Sequence, residues 1–209
     1  MRLSLPGAAS VLAAVVLGAA GCAPFYQDAR LLQPGRFEVS PSVSGAGVTA
    51  DGDSEYVVTT VGVQAQVGVA ERLNLGAAYG RIELDDGGGG VNGFAFGPRI
   101  GVVRDRVAIT APFSFLFGED VNVRESWAFH PGVVVTTPVG RRVDLNWSGR
   151  LLVPLCEGCP DDFLVAFGIG AGVHTGSTLV LRPEVAFLFD PGESGFVWTF
   201  GFGVSARNR

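Results

Sequence analysis

Val107-Ala108-Ile109-Thr110-Ala111-Pro112-Phe113-Ser114-Phe115-Leu116-Phe117 is the stretch that decides the fold. Its odd-numbered positions hold Val, Ile, Ala and three Phe, while its even-numbered positions hold Ala, Thr, Pro, Ser and Leu. A period of two sends alternate side chains to opposite faces of an extended strand, whereas a helical period of 3.6 would mix the two sets. The stretch therefore reads as a β-strand with one large apolar face and one small face.

The same alternation recurs on both sides of it. Ten runs follow one another, at 37–44, 59–69, 73–80, 93–102, 107–117, 127–136, 143–153, 163–174, 179–189 and 196–205. From Arg36 onward no stretch carries the helical period over a useful window, so the chain is expected to be all-β. Composition agrees, because 31 of the 209 residues are Gly and only 17% are charged, against averages of about 7% and 25%. A disordered chain is excluded by the 47% hydrophobic content and a net charge of −5.

A soluble barrel or sandwich would hide the large apolar face and show water a charged one. Here the opposite face is Gly, Ala, Ser and Thr with a few charges, which suits a narrow lumen better than a solvated exterior. The apolar face runs for about ten residues per strand, the length a tilted strand needs to cross a bilayer. Aromatic residues gather toward strand ends, where an interfacial girdle would lie. The expected fold is a transmembrane antiparallel up-and-down β-barrel of ten strands, with a lipid-anchored soluble barrel or sandwich as the alternative.

The connections fall into two alternating classes. Those around 70–72, 104–106, 140–142 and 175–178 are tight turns, and those around 50–55, 85–90, 118–126, 156–162 and 190–195 are longer and rich in Gly, Asp and Glu. Short turns on the periplasmic side and longer outer loops are the habit of outer-membrane barrels. Four turns and five loops put both termini in the periplasm.

Ahead of the barrel, Met1-Arg2 and the uncharged, Ala-rich run 3–20 have the layout of a secretory signal, ending in Ala19-Ala20-Gly21-Cys22. That tetrapeptide resembles the lipobox of bacterial lipoproteins, although Ala19 stands where the family usually has Leu. The resemblance implies that Cys22 is lipidated and begins the mature chain; the alternative is an ordinary signal that leaves a free thiol. The expected divisions are a signal peptide at 1–21, a periplasmic linker at 22–35 and the barrel at 36–209. With hairpins such as the one at 67–76 and a closing Trp198-Thr199-Phe200-Gly201-Phe202, the whole chain looks like a small bacterial outer-membrane β-barrel protein with a lipoprotein-type signal. It departs from that group in running on past its last aromatic residue to Arg209.

Chemistry-bearing residues are few, and no catalytic, metal or cofactor site is expected. His130 would face the lumen near the outer end of its strand, with Asp85, Asp86, Glu119 and Asp120 on neighbouring loops. This is similar to ten-stranded outer-membrane proteases, but those have strands projecting far above the membrane. His174, at the other end, has no acidic partner in view and is expected to be structural. Cys156-Glu157-Gly158-Cys159 tips an outer loop; a disulfide is the preferred reading over half of a zinc or redox site. Gly87 to Gly90 lacks the Lys and helix of a phosphate cradle and is expected to be a loop tip.

Charge is unevenly spread. Fourteen of the 20 acidic residues sit on or just below the outer loops, and nine of the 15 Arg, among them Arg30 and Arg207, sit at the opposite end. The basic rim suits phospholipid headgroups. The acidic rim serves either solubility or capture of divalent cations, which bridge the lipopolysaccharide expected around such a barrel. Nucleic acid is excluded as a partner by the acidic surface and the lack of a basic patch with interleaved aromatics. Along the inner face the alternation places Glu38, Asp144 and Glu184 with Arg99, Arg150 and Arg182, a balanced set that would pair and obstruct the lumen. The expected role is structural or surface-interacting, with a narrow channel second and a hydrolase using His130 a distant third.

Overall fold

The computed structural model describes residues 27–50, 52–84, 90–118, 121, 123, 126–155, 163–192 and 194–208. Twelve strand segments build the wall: β1 (Phe37–Ala50), β2 (Asp53–Ala70), β3 (Leu73–Leu84), β4 (Gly90–Val103), β5 (Val107–Thr110), β6 (Phe113–Phe117), β7 (Ala128–Phe129), β8 (Gly132–Pro138), β9 (Val143–Pro154), β10 (Leu164–His174), β11 (Leu179–Phe189) and β12 (Phe196–Arg207). β5 and β6 are one stave interrupted at Ala111-Pro112, and β7 and β8 are another interrupted at His130-Pro131. Ten staves result, each antiparallel to its sequence neighbour, and β1 pairs with β12 to close the barrel.

The interruptions follow from proline chemistry. Proline has no N–H to give to a ladder, but its carbonyl still accepts. Ala111 N–H donates to Pro98 O at 3.1 Å, His130 N–H to Pro112 O at 2.8 Å, and Leu151 N–H to Pro131 O at 2.9 Å. The wall thus stays joined across three adjacent stave pairs through one bond where two would normally form.

The alternation sets which face is wet. Val61 is 58% exposed and its neighbour Thr60 4%, and the same split holds at Val67 and Gln66 and at Trp147 and Asn146. Large apolar side chains point outward on every stave, as they must where lipid is the outer solvent. The outward aromatics collect toward the loop end. Phe94, Phe96, Phe113, Phe115, Phe117, Phe129 and Trp127 form one connected set of ring contacts, the shortest centroid separations being 4.8 Å for Phe113–Phe129 and Phe115–Trp127.

One connection differs from the sequence reading. The link expected as a loop at 50–55 is a tight turn: Ala50 pairs with Asp53, and Val48 with Glu55. β1 and β2 therefore run on as a hairpin of 14 and 18 residues, longer than the roughly 9–11 residues a tilted strand needs to cross a bilayer. The acidic residues Asp53 and Glu55 ride on its tip. Tyr56-Val57-Val58-Thr59-Thr60 is a run of aromatic and β-branched residues that favours strand, so ladder pairing extends where Gly and Asp suggested a loop.

Candidate functional site in the lumen

The part of the expected linker that lies among the described residues, 27–35, turns into the terminal end of the barrel. Gly35, at φ +79°, makes the bend, a conformation open to glycine at little steric cost. Its N–H donates to Gly68 O at 2.9 Å, and Gly68 N–H returns a bond to Arg36 O at 2.9 Å. A Cβ on Gly68 would strike the backbone carbonyls of Leu32, at 2.6 Å, and Gln33. One on Gly101 would lie 2.8 Å from Leu31 Cδ1. Two bare positions on the wall are thus what let the segment lie against it.

Inside, Asp28 and Ala29 are fully buried. Asp28 Oδ2 accepts from Arg182 Nη2 and from Arg207 Nη2, each at 2.8 Å, and the Asp28 carbonyl accepts from Arg99 Nη1 at 3.2 Å. Burial alone would raise the Asp28 carboxyl, but Arg182, Arg207 and Arg99 outweigh it and hold this group well below the usual carboxylate range. Glu38 faces the same arginines: its carboxylate takes Arg207 Nε, Arg182 Nη2 at 3.5 Å and Gln66 Nε2 at 2.8 Å. Arg182 Nε also donates to Ser205 Oγ at 2.7 Å.

A second cluster holds the next residues of the segment. Arg30 Nη2 donates to Asp144 Oδ1 at 2.7 Å, and Asp144 Oδ2 lies 2.7 Å from His174 Nε2. Ala29 N–H donates to Thr136 Oγ1 at 2.7 Å, whose hydroxyl donates to Asn146 Oδ1 at 2.8 Å. His174 thus has an acidic partner after all, one stave away on β9. The expectation failed because Asp144 and His174 stand 30 residues apart and meet only through the β9–β10 ladder, where Gly172 pairs with Asp144.

Toward the loop end the lumen becomes apolar. Val58, Ile82, Leu116, Leu152, Leu164, Leu188 and Val197 pack with Ala46, Ala128, Ala166 and Ala186 into one buried cluster. Replacing water by such contacts contributes about 1.5–3 kcal/mol for each large aliphatic side chain. Between this layer and the ionic clusters lies a cavity of about 50 Å³, lined among others by Gln64, Gln66, Asn74, Arg99, His130 and Arg150. Among the described residues, the segment 27–35 with its ion pairs fills the lumen at the terminal end and the aliphatic cluster fills it toward the loop end.

His130 lies in this interior with its Nε2 2.6 Å from Ser114 Oγ and is 3% exposed. The acids expected beside it, Asp85, Asp86, Glu119 and Asp120, lie outside the described residues, as do Cys22, Cys156, Cys159 and Gly87–Gly89. Of the six inward charges read from the alternation, Glu38 and Arg182 are brought together, whereas Asp144 pairs with Arg30 and His174. Glu184 points inward beside Gly168. Arg30 and Arg207, expected on the basic rim, turn inward to carboxylates instead. The alternation could have found Arg207, since it shares the inward parity of Ser205; Asp28 and Arg30 precede the strands and carried no periodic signal.

No protein-family model matches the sequence, and no curated protein matches it. Among solved structures, the translocator domain of the autotransporter NalP from Neisseria meningitidis superposes with a TM-score of 0.51 at 12% identity, covering 97% of each chain. The outer-membrane protease OmpT from Escherichia coli gives a TM-score of 0.46 at 10% identity, over 86% of this chain and 98% of that one. Neisserial surface protein A gives 0.39 at 10%, over 82% and 98%. At these identities the likeness is one of fold: the chain is built as a bacterial outer-membrane β-barrel is.

Proposed function

We propose that the chain is a non-enzymatic outer-membrane barrel with both termini in the periplasm, whose working surfaces are its lipid-facing wall and the acidic loops at the far end. The observation that carries this reading is how the described residues fill the lumen, with the ion-paired segment 27–35 at one end and the aliphatic layer at the other. A barrel filled in this way has no water-lined route for solutes, and its interior serves stability. A conducting pore would need both seals to move.

Several finer features accompany the proposal. A lipid on Cys22 would be six residues from Asp28, at most about 20 Å of extended chain, and would anchor the inserted segment to the inner leaflet. A Cys156–Cys159 disulfide would stiffen the tip of one loop. Outer-membrane lipids and lipopolysaccharide are the expected surroundings, with divalent cations as bridges between acidic loops and lipid phosphates. In this reading His130, buried with its Nε2 2.6 Å from Ser114 Oγ, fills the interior and is not a water-activating base, which needs reach to a substrate. The test is solute uptake by liposomes carrying the refolded barrel. No swelling beyond protein-free vesicles is expected in small sugars; rapid swelling would favour the channel.

A further inference from the structure

Arg99 stands apart from the other arginines of the lumen. It is 5% exposed, and its Nη1 donates to a neutral group, the Asp28 carbonyl, at 3.2 Å. Its Nε is buried without a hydrogen-bond partner. The carboxylates nearby are engaged elsewhere, Asp28 and Glu38 by Arg182 and Arg207 and Asp144 by Arg30 and His174. Among the described residues, five arginines face the lumen (Arg30, Arg99, Arg150, Arg182, Arg207) against four carboxylates (Asp28, Glu38, Asp144, Glu184), which leaves one positive charge in excess. Arg99 shares the field of Asp28 and Glu38 with Arg182 and Arg207, and a buried cation left short of its own counter-charge is costly, by several kcal/mol even after relaxation.

The cavity of about 50 Å³ lies against Arg99, and Gln64 and Thr110 also line it. Thr110 Oγ1 and Gln64 Oε1 are buried without partners, as Arg99 Nε is. Turning the Gln64 amide over presents its NH₂ in place of its oxygen, the two orientations being equivalent in shape. The wall can therefore offer a guanidinium, a hydroxyl and an amide NH₂. The space suits roughly three to five water-sized bodies. We infer that this cavity is a binding site for a small monovalent anion of halide size, held by Arg99 with Thr110 and Gln64 and sharing the space with water. The site neutralises the lumen, and it stands or falls independently of whether the barrel conducts.

Bromide is the probe. Crystals of the refolded barrel grown in sodium bromide should show an anomalous peak in the cavity, within about 3.5 Å of the Arg99 guanidinium. In detergent, the thermal midpoint should rise by about 2–4 °C for each tenfold rise in bromide above its dissociation constant, compared with gluconate at equal ionic strength. Arg99→Met should abolish that dependence and Thr110→Val should weaken it. If Arg99→Met fails to fold, Thr110→Val and the wild-type anomalous map decide. Ordered water alone in the cavity overturns the inference, as does equal stability in the two salts. A peak without a bromide-specific shift marks an adventitious ion only, and bromide dependence retained in Arg99→Met assigns the effect elsewhere; either result also overturns it.

Discussion

Asp28 Oδ2 accepts a hydrogen bond from Arg182 Nη2 at 2.8 Å across 154 residues of chain, and with it a segment that precedes the barrel becomes part of the barrel's interior. Removing one partner of a buried ion pair leaves the other charge uncompensated, a loss of about 3–5 kcal/mol. Asp28→Ala is therefore expected to release residues 27–35 while the wall persists. Limited trypsinolysis at Arg30 should become fast in the variant and stay slow in the wild type, with both still migrating as folded barrels on unboiled gels. Equal cleavage of the two would separate Asp28 from the holding of the segment.

Acid should act through the same carboxyl, and the sign is set by its depressed pKa. A carboxylate held below its ordinary value of about 3.9 contributes its full stabilisation above that value and loses it as pH falls. Hydrogen exchange at the Ala29 amide, which donates to Thr136 Oγ1 at 2.7 Å, should remain protected from pH 8 to pH 5 after correction for intrinsic rates. Protection should decline below about pH 4. Loss of protection between pH 7 and pH 5 would contradict the assignment to Asp28.

Gly68→Val tests the seat of the segment without touching a charge. The new side chain would collide with the Leu32 and Gln33 carbonyls, and backbone cannot yield as a flexible side chain can. The expected result is the Asp28→Ala phenotype, rapid cleavage at Arg30, with a stability loss of about 1–3 kcal/mol as for an overpacked site. A variant as resistant as the wild type would show that the segment lies elsewhere.

The wall was legible because its information is local. In 107–117 each residue's face follows from its parity, and Thr60 and Val61 or Gln66 and Val67 sort in the structure as that parity requires. Even Pro112 and Pro131, which split two staves, left the parity unbroken. The interior was less legible because its contacts are not periodic: Asp28 meets Arg207 across 179 residues, and no pattern around Asp28 marks it as buried. The aliphatic seal lay within the alternation as Leu116, Leu152, Leu164 and Leu188 on the small face, each near the loop end of its run. Read one strand at a time they were exceptions, and only the barrel's closure brings them into one layer.

Cys22 is expected to carry lipid, because the apolar run of the signal stops there in the tetrapeptide Ala19-Ala20-Gly21-Cys22. Intact-mass measurement of the mature protein purified from membranes should give a chain beginning at Cys22 with the added mass of acyl chains. A mass equal to the unmodified chain from Cys22, or one beginning at another residue, would remove the anchor from the proposal.

The closed lumen is tested most directly by planar-bilayer recording of the wild-type protein in 1 M salt, where screening falls to a range of about 3 Å and surface charge no longer governs ion access. With the segment 27–35 seated at one end and the aliphatic layer at the other, no stable single-channel steps should appear above the bare membrane. Steady, ohmic conductance steps from the intact wild-type barrel would contradict the double seal and make the protein a channel.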